Sequence, residues 1–173
     1  MKRDDLTHAV ESPRPAASRL ALARITVRPA RAWEQDAIRR LVLSERLNPT
    51  DLRWHNFIVA VDDSALVGAV QLRRHADGSR ELGSLVVLPQ VRGQGIAAML
   101  IDTLLADQRG PVHMITNGEH AARYRRWGFE RIEPRQAPWP VRRNHLFGHL
   151  ARVISFFKGR PPVRLVILER AAP

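Results

Sequence analysis

Residues 85–97 read LVVLPQVRGQGIA, an apolar run that leads through a glycine-bearing turn into a second apolar stretch. The first part predicts a buried strand, and the residues from about Gly95 to Leu105 predict a helix. Gly93 and Gly95 let the backbone approach a ligand closely, and the start of the helix offers unpaired N–H groups at its positive end. This arrangement favours an anion site suited to a pyrophosphate, although a turn without a ligand accounts for the glycines equally well. It is neither a Walker A loop nor a GxGxxG fingerprint.

Upstream of this stretch the pattern predicts strands joined by tight turns. A short strand at residues 25–27 precedes a helix that begins at Trp33 and ends before Asn48-Pro49. The apolar stripe of this helix is formed by residues three and four positions apart: Trp33, Ala37, Ile38, Leu41 and Val42. Three strands follow, at residues 57–61, 66–73 and 81–88, with a hairpin signal at Asp77-Gly78.

Downstream of the glycine-bearing turn, strands and helices alternate. A strand at residues 112–116, a helix ending at Trp127 and a strand from Phe129 are predicted, with a last strand at residues 163–168. This alternation implies a parallel crossover. The predicted fold class is therefore α/β, with a mixed, mostly antiparallel central sheet and a βαβ half.

The composition of the 173 residues fits one domain with a good core, because 45% of them are hydrophobic. Residues 24–170 are predicted to form that domain, and the polar residues 1–23 a flexible arm. The chain has no cysteine, which excludes disulfides, thiolate zinc sites and a cysteine nucleophile, and favours a reduced compartment. No signal peptide or membrane-spanning run is present, so we expect a cytoplasmic protein.

The net charge of +11 is concentrated in the last third of the chain. Residues 123–164 contain ten arginines and one lysine against two glutamates. Such a basic region suits phosphates or an acidic substrate, but it is equally consistent with a solvated surface. Within it, residues 138–162 form a basic amphipathic segment whose apolar stripe is Leu146, Leu150, Val153, Ile154 and Phe157. We expect this stripe to pack on the sheet or on a second subunit rather than on a membrane.

Two separated motifs resemble those of the GNAT superfamily of acetyltransferases. The segment Arg92–Ala97 is similar to the family's R/Q-x-x-G-x-G/A signature, and it follows a strand end of the family's V-x-x-P type. Downstream, Asn117, Tyr124 and Gly128-Phe129 match the family's N-x-x-A-x-x-x-Y…G-F segment, except that His120 stands where a small residue is usual. The resemblance covers residues 24–135, is lost between Pro138 and Pro162, and resumes weakly at residues 163–168.

The resemblance implies roles for residues in both motifs, with acetyl-CoA as co-substrate and no metal. Backbone groups of Leu85, Val86 and Val87 would pair with the pantetheine arm, and Asn117 would contact the cofactor. Tyr124, the only tyrosine, would protonate the departing thiolate; the alternative is a packing role. The pyrophosphate would be bound by backbone amides of the glycine-bearing segment: Arg92, Gly93, Gln94, Gly95, Ile96 and Ala97.

The catalytic base is less defined. Family members often carry a base on the strand that holds Glu81, so Glu81 would take the amine's proton directly or through water. By simple alternation Glu81 shares a face with Gly83, Leu85 and Val87. A structural carboxylate paired with Arg73 or Arg80 is an equally good interpretation of Glu81. His113 and His55 are further candidates, each with an ordinary structural alternative.

Together these features predict an enzyme that transfers an acetyl group from acetyl-CoA to a primary amine of a small molecule or peptide. The basic surroundings disfavour a polyamine and favour a small acidic acceptor. The alternative is a non-catalytic acyl-CoA sensor on the same fold. A homodimer is left open. No nucleic-acid-binding motif is present, so neither a nucleic acid nor a membrane is expected as a partner.

Overall fold

The computed structural model describes residues 24–45, 47–156 and 164–172, and of residues 150–156 only the backbone. The predicted arm at residues 1–23 lies outside the described residues. Seven strands form one sheet in the order β1-β2-β3-β4-β5-β7-β6. The strands are β1 Ile25–Pro29, β2 Phe57–Asp62, β3 Ala65–Arg74, β4 Arg80–Val87, β5 Val112–Asn117, β6 Phe129–Ile132 and β7 Leu165–Arg170. The α-helices are α1 Gln35–Ser44, α2 Ile96–Leu105 and α3 Trp139–Phe156.

The sheet is mostly antiparallel, which confirms the predicted fold class. Strands β1 to β4 form an antiparallel meander, and β7 pairs antiparallel with both β5 and β6. Only β4 and β5 pair in parallel, and α2 supplies the crossover between them. The predicted helix before β6 is a ten-residue 3₁₀ helix, Gly118–Trp127.

The helix predicted from Trp33 begins later than expected. Residues Ala32–Glu34 form a 3₁₀ turn, and α1 follows it. Ile38, Leu41 and Val42 are buried as predicted, but Trp33 is 75% exposed. The prediction was wrong for Trp33 because this residue precedes the α-helical turns that give the stripe its 3.6-residue period.

Helices cover both faces of the sheet. On the α2 face, Leu100, Leu104 and their neighbours pack against residues such as Val70 and Leu82. On the α1 face, Ile38 and Val42 pack against Ala69 and Val86. The start of α3 completes the α1 face over β5 and β7, where Val141 contacts Ile115 and Ile167.

The packing face of α3 differs from the predicted stripe. Leu146 is 67% exposed, whereas Val141 is fully buried. Gly148 lies so close to β7 that a Cβ added there would come within 2.9 Å of the Leu165 side chain. The described part of α3 packs on the sheet through Val141 and Gly148, and Leu146, the one described member of the predicted stripe, does not pack there. The side chains of Leu150, Val153, Ile154 and Phe157 lie outside the described residues. No helix in the described part of the chain is long and apolar enough to cross a membrane.

Candidate active site

A cleft opens between β4 and β5. The two parallel strands pair only where Glu81 faces His113 and Leu82 faces Met114. Beyond Leu82, β4 continues to Val87 with its β3 edge paired, at Ala69↔Val86 and Gly68↔Val87, and no pairing on its β5 edge. The free edge therefore presents to the cleft those backbone groups of Leu85, Val86 and Val87 that do not pair with β3, apart from the Val87 carbonyl, which accepts from Arg92 Nε.

A β-bulge in β4 lies at the base of this cleft. The pairing register shifts between Ala69 and Gln71, so that the two residues Ser84 and Leu85 oppose the single residue Val70. Ser84 has a φ of 48°, a value uncommon for a residue with a side chain. The bulge twists the strand locally, which accounts for the divergence of β4 from β5.

The bulge overturns the predicted alternation along β4. Glu81 and Gly83 lie on the α1 face, but Val86 also packs there, while Leu85 and Val87 pack on the α2 face. Glu81 therefore does not share a face with Leu85 and Val87. The extra residue at Ser84 shifts the period of two by one position.

The glycine-bearing turn lies between the end of β4 and α2. Gly93 and Gly95 have φ values of 79° and 89°, which glycine adopts at little cost. Gly95 is the N-cap of α2, and no side chain in the described part of the protein caps the amides of the first turn. The amides of Ile96 and Ala97 therefore remain available to an anion, in the positive field of the helix dipole.

The exposed Arg92 side chain is held by two contacts within the chain. Its Nε donates to the Val87 carbonyl at 2.9 Å, and its Nη2 lies 2.8 Å from Glu45 Oε1 at the end of α1. Gln94 lies between the two glycines and is half-buried. The Arg92 guanidinium is thus occupied by contacts within the chain.

Tyr124 lies in the 3₁₀ helix after β5. Its ring packs between Trp127 and Phe129, with centroid distances of 6.1 and 6.4 Å. Burial raises the pKa of the phenol, while a hydrogen bond with the Thr116 side chain and the charge of Arg123 act in the opposite sense. The phenol is therefore protonated at neutral pH and is located beside β5, the strand that borders the cleft.

Asn117 ends β5 and caps the 3₁₀ helix. Its Oδ1 accepts a hydrogen bond from the Glu119 amide at 3.2 Å, which is the role of an N-cap residue. Its position at the end of β5 places it at the mouth of the cleft.

Glu81 lies in a buried polar network on the α1 face. The residue is 2% exposed, and its Oε1 accepts from Nη1 of the 4% exposed Arg73 at 2.9 Å. Its Oε2 lies 3.1 Å from His75 Nε2 and accepts from Asn144 Nδ2 at 2.8 Å. Burial alone would raise the pKa of Glu81, but the His75 hydrogen bond, the Arg73 charge and the Asn144 hydrogen bond outweigh it and lower the pKa. Glu81 is therefore ionised at neutral pH.

The network continues from Arg73 to the loop after α1. Arg73 Nη2 donates to Ser84 Oγ at 3.2 Å, and that hydroxyl donates to Gln71 Oε1 at 3.1 Å. The Gln71 amide donates to the carbonyl of Asp51, whose φ is 54°. A single run of hydrogen bonds thus links the α1–β2 loop, the bulge and α3.

The two histidine candidates lie apart from this network. His113 is buried beside Glu81 in the sheet, but its Nε2 pairs with Glu169 Oε2 at 2.9 Å. His55 is exposed and contacts the Trp54 ring. Neither imidazole is hydrogen-bonded to Glu81, although His113 is its register partner in β5.

Sequence reasoning missed Gln71, Ser84, His75 and Asn144 as site residues. The sequence does offer one indication of this network. Gln71 and Arg73 are polar side chains at alternate positions of an apolar strand, and such side chains need buried hydrogen-bond partners. Asn144 had no local signal, since it lies 63 residues from Glu81 in the sequence.

Comparisons with known proteins agree with this geometry. Residues 53–131 match the family model described as "Acetyltransferase (GNAT) domain". No curated protein matches the chain. Three similar solved structures each align with 86% of this chain. N-acetylglutamate synthase from Neisseria gonorrhoeae, complexed with coenzyme A and L-arginine, has 16% identity and a TM-score of 0.64.

The alignments with the other two structures cover 99% of each of those chains. Rv2747 from Mycobacterium tuberculosis, in complex with CoA and NLQ, has 22% identity and a TM-score of 0.63. Naa50 from Arabidopsis thaliana, in complex with the bisubstrate analogue CoA-Ac-MVNAL, has 15% identity and a TM-score of 0.55. By contrast, this chain spans only 33% of the N-acetylglutamate synthase chain. At these identities the likeness establishes the fold.

Proposed function

This chain belongs to the GNAT superfamily of acetyltransferases, and from that premise we propose that it transfers an acetyl group from acetyl-CoA to a primary amine. The observation that carries the proposal is the divergence of β4 from β5 beside the uncapped start of α2. One side of this opening offers an unpaired strand edge, and its end offers free amides at a positive helix terminus. An amide-containing chain that ends in a pyrophosphate is complementary to both.

The residues of the cleft suit acetyl-CoA as co-substrate. Leu85, Val86 and Val87 would pair with the pantetheine arm through their free backbone groups, and Asn117 would contact it from β5. The amides of Arg92, Gly93, Gln94, Gly95, Ile96 and Ala97 would hold the pyrophosphate. When bound, acetyl-CoA supplies an activated acyl group as a thioester, and the protein supplies its orientation.

We assign Tyr124 the role of proton donor to the coenzyme thiolate. Its raised pKa keeps the proton on the phenol through the neutral range, so the acid form is fully populated. A general acid of this kind typically contributes about 100- to 10,000-fold to the rate.

We assign Glu81 the role of accepting the amine's proton through water rather than directly. Its carboxylate is almost fully buried and both oxygens are hydrogen-bonded, so an ammonium group cannot replace a partner without rearrangement. Its lowered pKa makes it a weak base, so it would pass the proton onward rather than keep it.

The acceptor that we favour is a small amine carrying a carboxylate. The supporting observations are the net charge of +11 and the exposed Arg142 and Arg143 on α3, the helix that supplies Asn144 to Glu81. A negatively charged acceptor would be drawn to this surface, and a polyamine would be repelled.

A non-catalytic acyl-CoA sensor is the second candidate, and the burial of Glu81 is the observation that favours it. A carboxylate with three polar partners, here Arg73, His75 and Asn144, can be purely structural. The two functions differ in one measurable respect, since only the enzyme releases free CoA in the presence of an acceptor.

Calorimetric titration with acetyl-CoA tests the cofactor site. Gly95→Glu should abolish binding, because it adds a side chain and a negative charge at the proposed pyrophosphate site. Gly78→Glu is the matched control: Gly78 has a similar φ of 82° and lies in the β3–β4 turn, away from the cleft. If both folded variants bind acetyl-CoA like the wild type, the cofactor site is wrong.

A CoA-release screen of amino acids, polyamines, aminoglycosides and peptides then identifies the acceptor.

A further inference from the structure

A side-chain hydrogen bond joins α2 to the 3₁₀ helix that carries Tyr124. Trp127, the last residue of that 3₁₀ helix, donates from its indole Nε1 to Asp102 Oδ1 at 2.5 Å. Asp102 lies in the middle of α2 and is exposed. A charged acceptor makes such a bond short and directional. The bond therefore connects two elements that are linked along the chain only through β5.

The indole of Trp127 also contacts Tyr124. The centroids of the two rings are 6.1 Å apart, at an interplanar angle of 41°. The guanidinium carbon of Arg126 lies 4.3 Å from the centroid of the same indole. Tyr124 and Trp127 are both half-buried and pack against the hydrophobic core on the α2 face of the sheet. The position of the Trp127 ring therefore limits where the Tyr124 ring can lie.

The two elements joined by this bond would hold opposite ends of the proposed cofactor. The start of α2 would hold the pyrophosphate, and Tyr124 would give its proton to the sulfur at the other end. The distance between these points matters, because a displacement of about 1 Å from a reactive geometry can cost about 100-fold in rate. Through Asp102, the position of Tyr124 is set relative to the helix that would bind the cofactor.

The chemistry of the bond suits orientation better than general packing. Because Asp102 is exposed, water competes for both partners, and the bond adds little to the free energy of unfolding. Packing alone does not require an indole at position 127, since another aromatic ring would also cover the core. Only an indole combines that ring with an N–H donor that can reach an acceptor at its edge.

We propose that Asp102 and Trp127 are positioning residues that keep the Tyr124 hydroxyl within reach of the cofactor thioester. The hydrogen bond fixes the indole, and the indole limits the movement of the Tyr124 ring. The inference rests on the proposed function, because it takes Tyr124 as the proton donor and the start of α2 as the pyrophosphate site. It extends that function to two residues that would not touch the reacting atoms.

Steady-state kinetics of the full chain test this role, with acetyl-CoA and an acceptor found in the CoA-release screen. Asp102→Ala and Trp127→Phe each remove one partner of the hydrogen bond, so kcat should fall about tenfold or more, with the KM for acetyl-CoA nearly unchanged. Asp102→Asn keeps an Oδ1 acceptor and should restore most of the wild-type kcat. In a Tyr124→Phe background, Asp102→Ala should lower kcat no further, because its effect passes through the missing hydroxyl.

The Tyr124 ring can also be observed without turnover, because it belongs to the only tyrosine of the chain. Protein labelled with 3-fluorotyrosine should therefore give a single ¹⁹F signal. We expect this signal to shift or broaden in Asp102→Ala and to return to its wild-type position in Asp102→Asn. Both variants remove the same charge, so the difference between them reports the hydrogen bond. Asp107→Ala removes another exposed carboxylate just after α2 and should leave the signal unchanged.

The outcomes separate this inference from the proposed function. An unchanged ¹⁹F signal in Asp102→Ala would overturn the positioning role, and this comparison needs no acceptor. Equal losses of kcat in Asp102→Ala and Asp102→Asn would overturn it too, since charge and not the hydrogen bond would then matter. A full further loss in the Tyr124→Phe background would show an effect that bypasses the hydroxyl. All three results would leave acetyl transfer standing, whereas wild-type turnover in Tyr124→Phe alone would remove the donor role and this inference together.

Discussion

At the scale of single residues, Gly83 makes room for the buried guanidinium of Arg73. A Cβ built on Gly83 would overlap Arg73 Nη1 and would lie only 3.0 Å from the guanidinium carbon. Such an approach cannot be tolerated, and Arg73 cannot swing to solvent because it is enclosed and paired with Glu81. The absence of a side chain at position 83 is thus a condition for the polar network.

We predict that Gly83→Ala displaces Arg73 and breaks its pair with Glu81. Overpacking of this kind typically costs about 1–3 kcal/mol in the free energy of unfolding. Turnover should fall while acetyl-CoA affinity is retained, because the strand edge and glycine-bearing turn are untouched. Urea unfolding and calorimetry measure the two effects.

Gly110→Ala is the matched control for this substitution. Its Cβ would approach the guanidinium of Arg80 at 3.1 Å, but Arg80 is only half-buried and can move aside. Equal stability losses in the two variants would show that the Arg73 contact has no special role.

The hydroxyl of Tyr124 is predicted to act in turnover and not in binding. Tyr124→Phe keeps the ring contacts with Trp127 and Phe129, so acetyl-CoA affinity and melting temperature should change little. Turnover should fall about 100- to 10,000-fold.

The pH profile of Tyr124 provides an independent reading. Because burial raises its pKa, the wild-type phenol loses its proton only above the ordinary value of 10.0, and the rate should show no Tyr-dependent decline below that pH. Wild-type turnover in the Phe variant would return Tyr124 to a packing role.

Residues of the glycine-bearing turn were predictable from sequence because their conformation is set locally. Gly93 and Gly95 have positive φ values, and the following apolar run starts α2 where expected. Ser84 was not predictable in this way. Its positive φ results from the pairing of β4 with β3, and the neighbouring Gly83, although a glycine within a strand can mark a bulge, does not locate the bulge at Ser84.

At the scale of elements, α3 shows why amphipathic periodicity identified a helix but not its orientation. Both the buried Val141 and the exposed Leu146 are large and apolar, so the sequence alone does not rank them. The choice depends on Gly148, which allows the helix to approach β7, and on Asn144, which reaches Glu81. The partner of Gly148 is Leu165 in β7 and the partner of Asn144 is Glu81, so neither contact can be read from the helix sequence itself.

We predict that Val141→Asp unfolds the protein and that Leu146→Asp does not. Val141 is fully buried between Ile115 and Ile167, and burying an unpaired carboxylate there costs several kcal/mol, comparable to the stability of a whole domain. An aspartate at the exposed position 146 meets water, so its effect on stability should be within about 0.5 kcal/mol.

Thermal melting of the two variants side by side measures this difference. If Leu146→Asp instead lowers the melting temperature strongly, Leu146 is covered in solution, and sedimentation would then show whether a second subunit covers it. A tolerated Val141→Asp would contradict the packing of α3 on β5 and β7.

At the scale of the whole molecule, we expect charge, and not the shared fold, to favour one class of acceptor over another. The fold is shared by proteins crystallised with such different ligands as N-acetyl-glutamate and a bisubstrate peptide analogue, so the fold does not specify the acceptor. The net charge of +11 is a property of this chain, and we expect its long-range field to act on charged acceptors.

We therefore predict opposite salt dependences for acidic and basic acceptors in a CoA-release assay. The kcat/KM for an acceptor with a net negative charge should be high at low salt and fall as ionic strength rises, because salt screens the attraction. For a polyamine it should be low and should rise with salt, because the same screening relieves repulsion. The screening length shortens from about 30 Å at 0.01 M to about 10 Å at 0.1 M salt. This range of salt concentration is therefore the one in which the rates should change. A neutral amine serves as the control and should show no trend. If the polyamine is acetylated fastest at low salt, the long-range field does not select the acceptor, and the choice must then depend on direct contacts in the cleft.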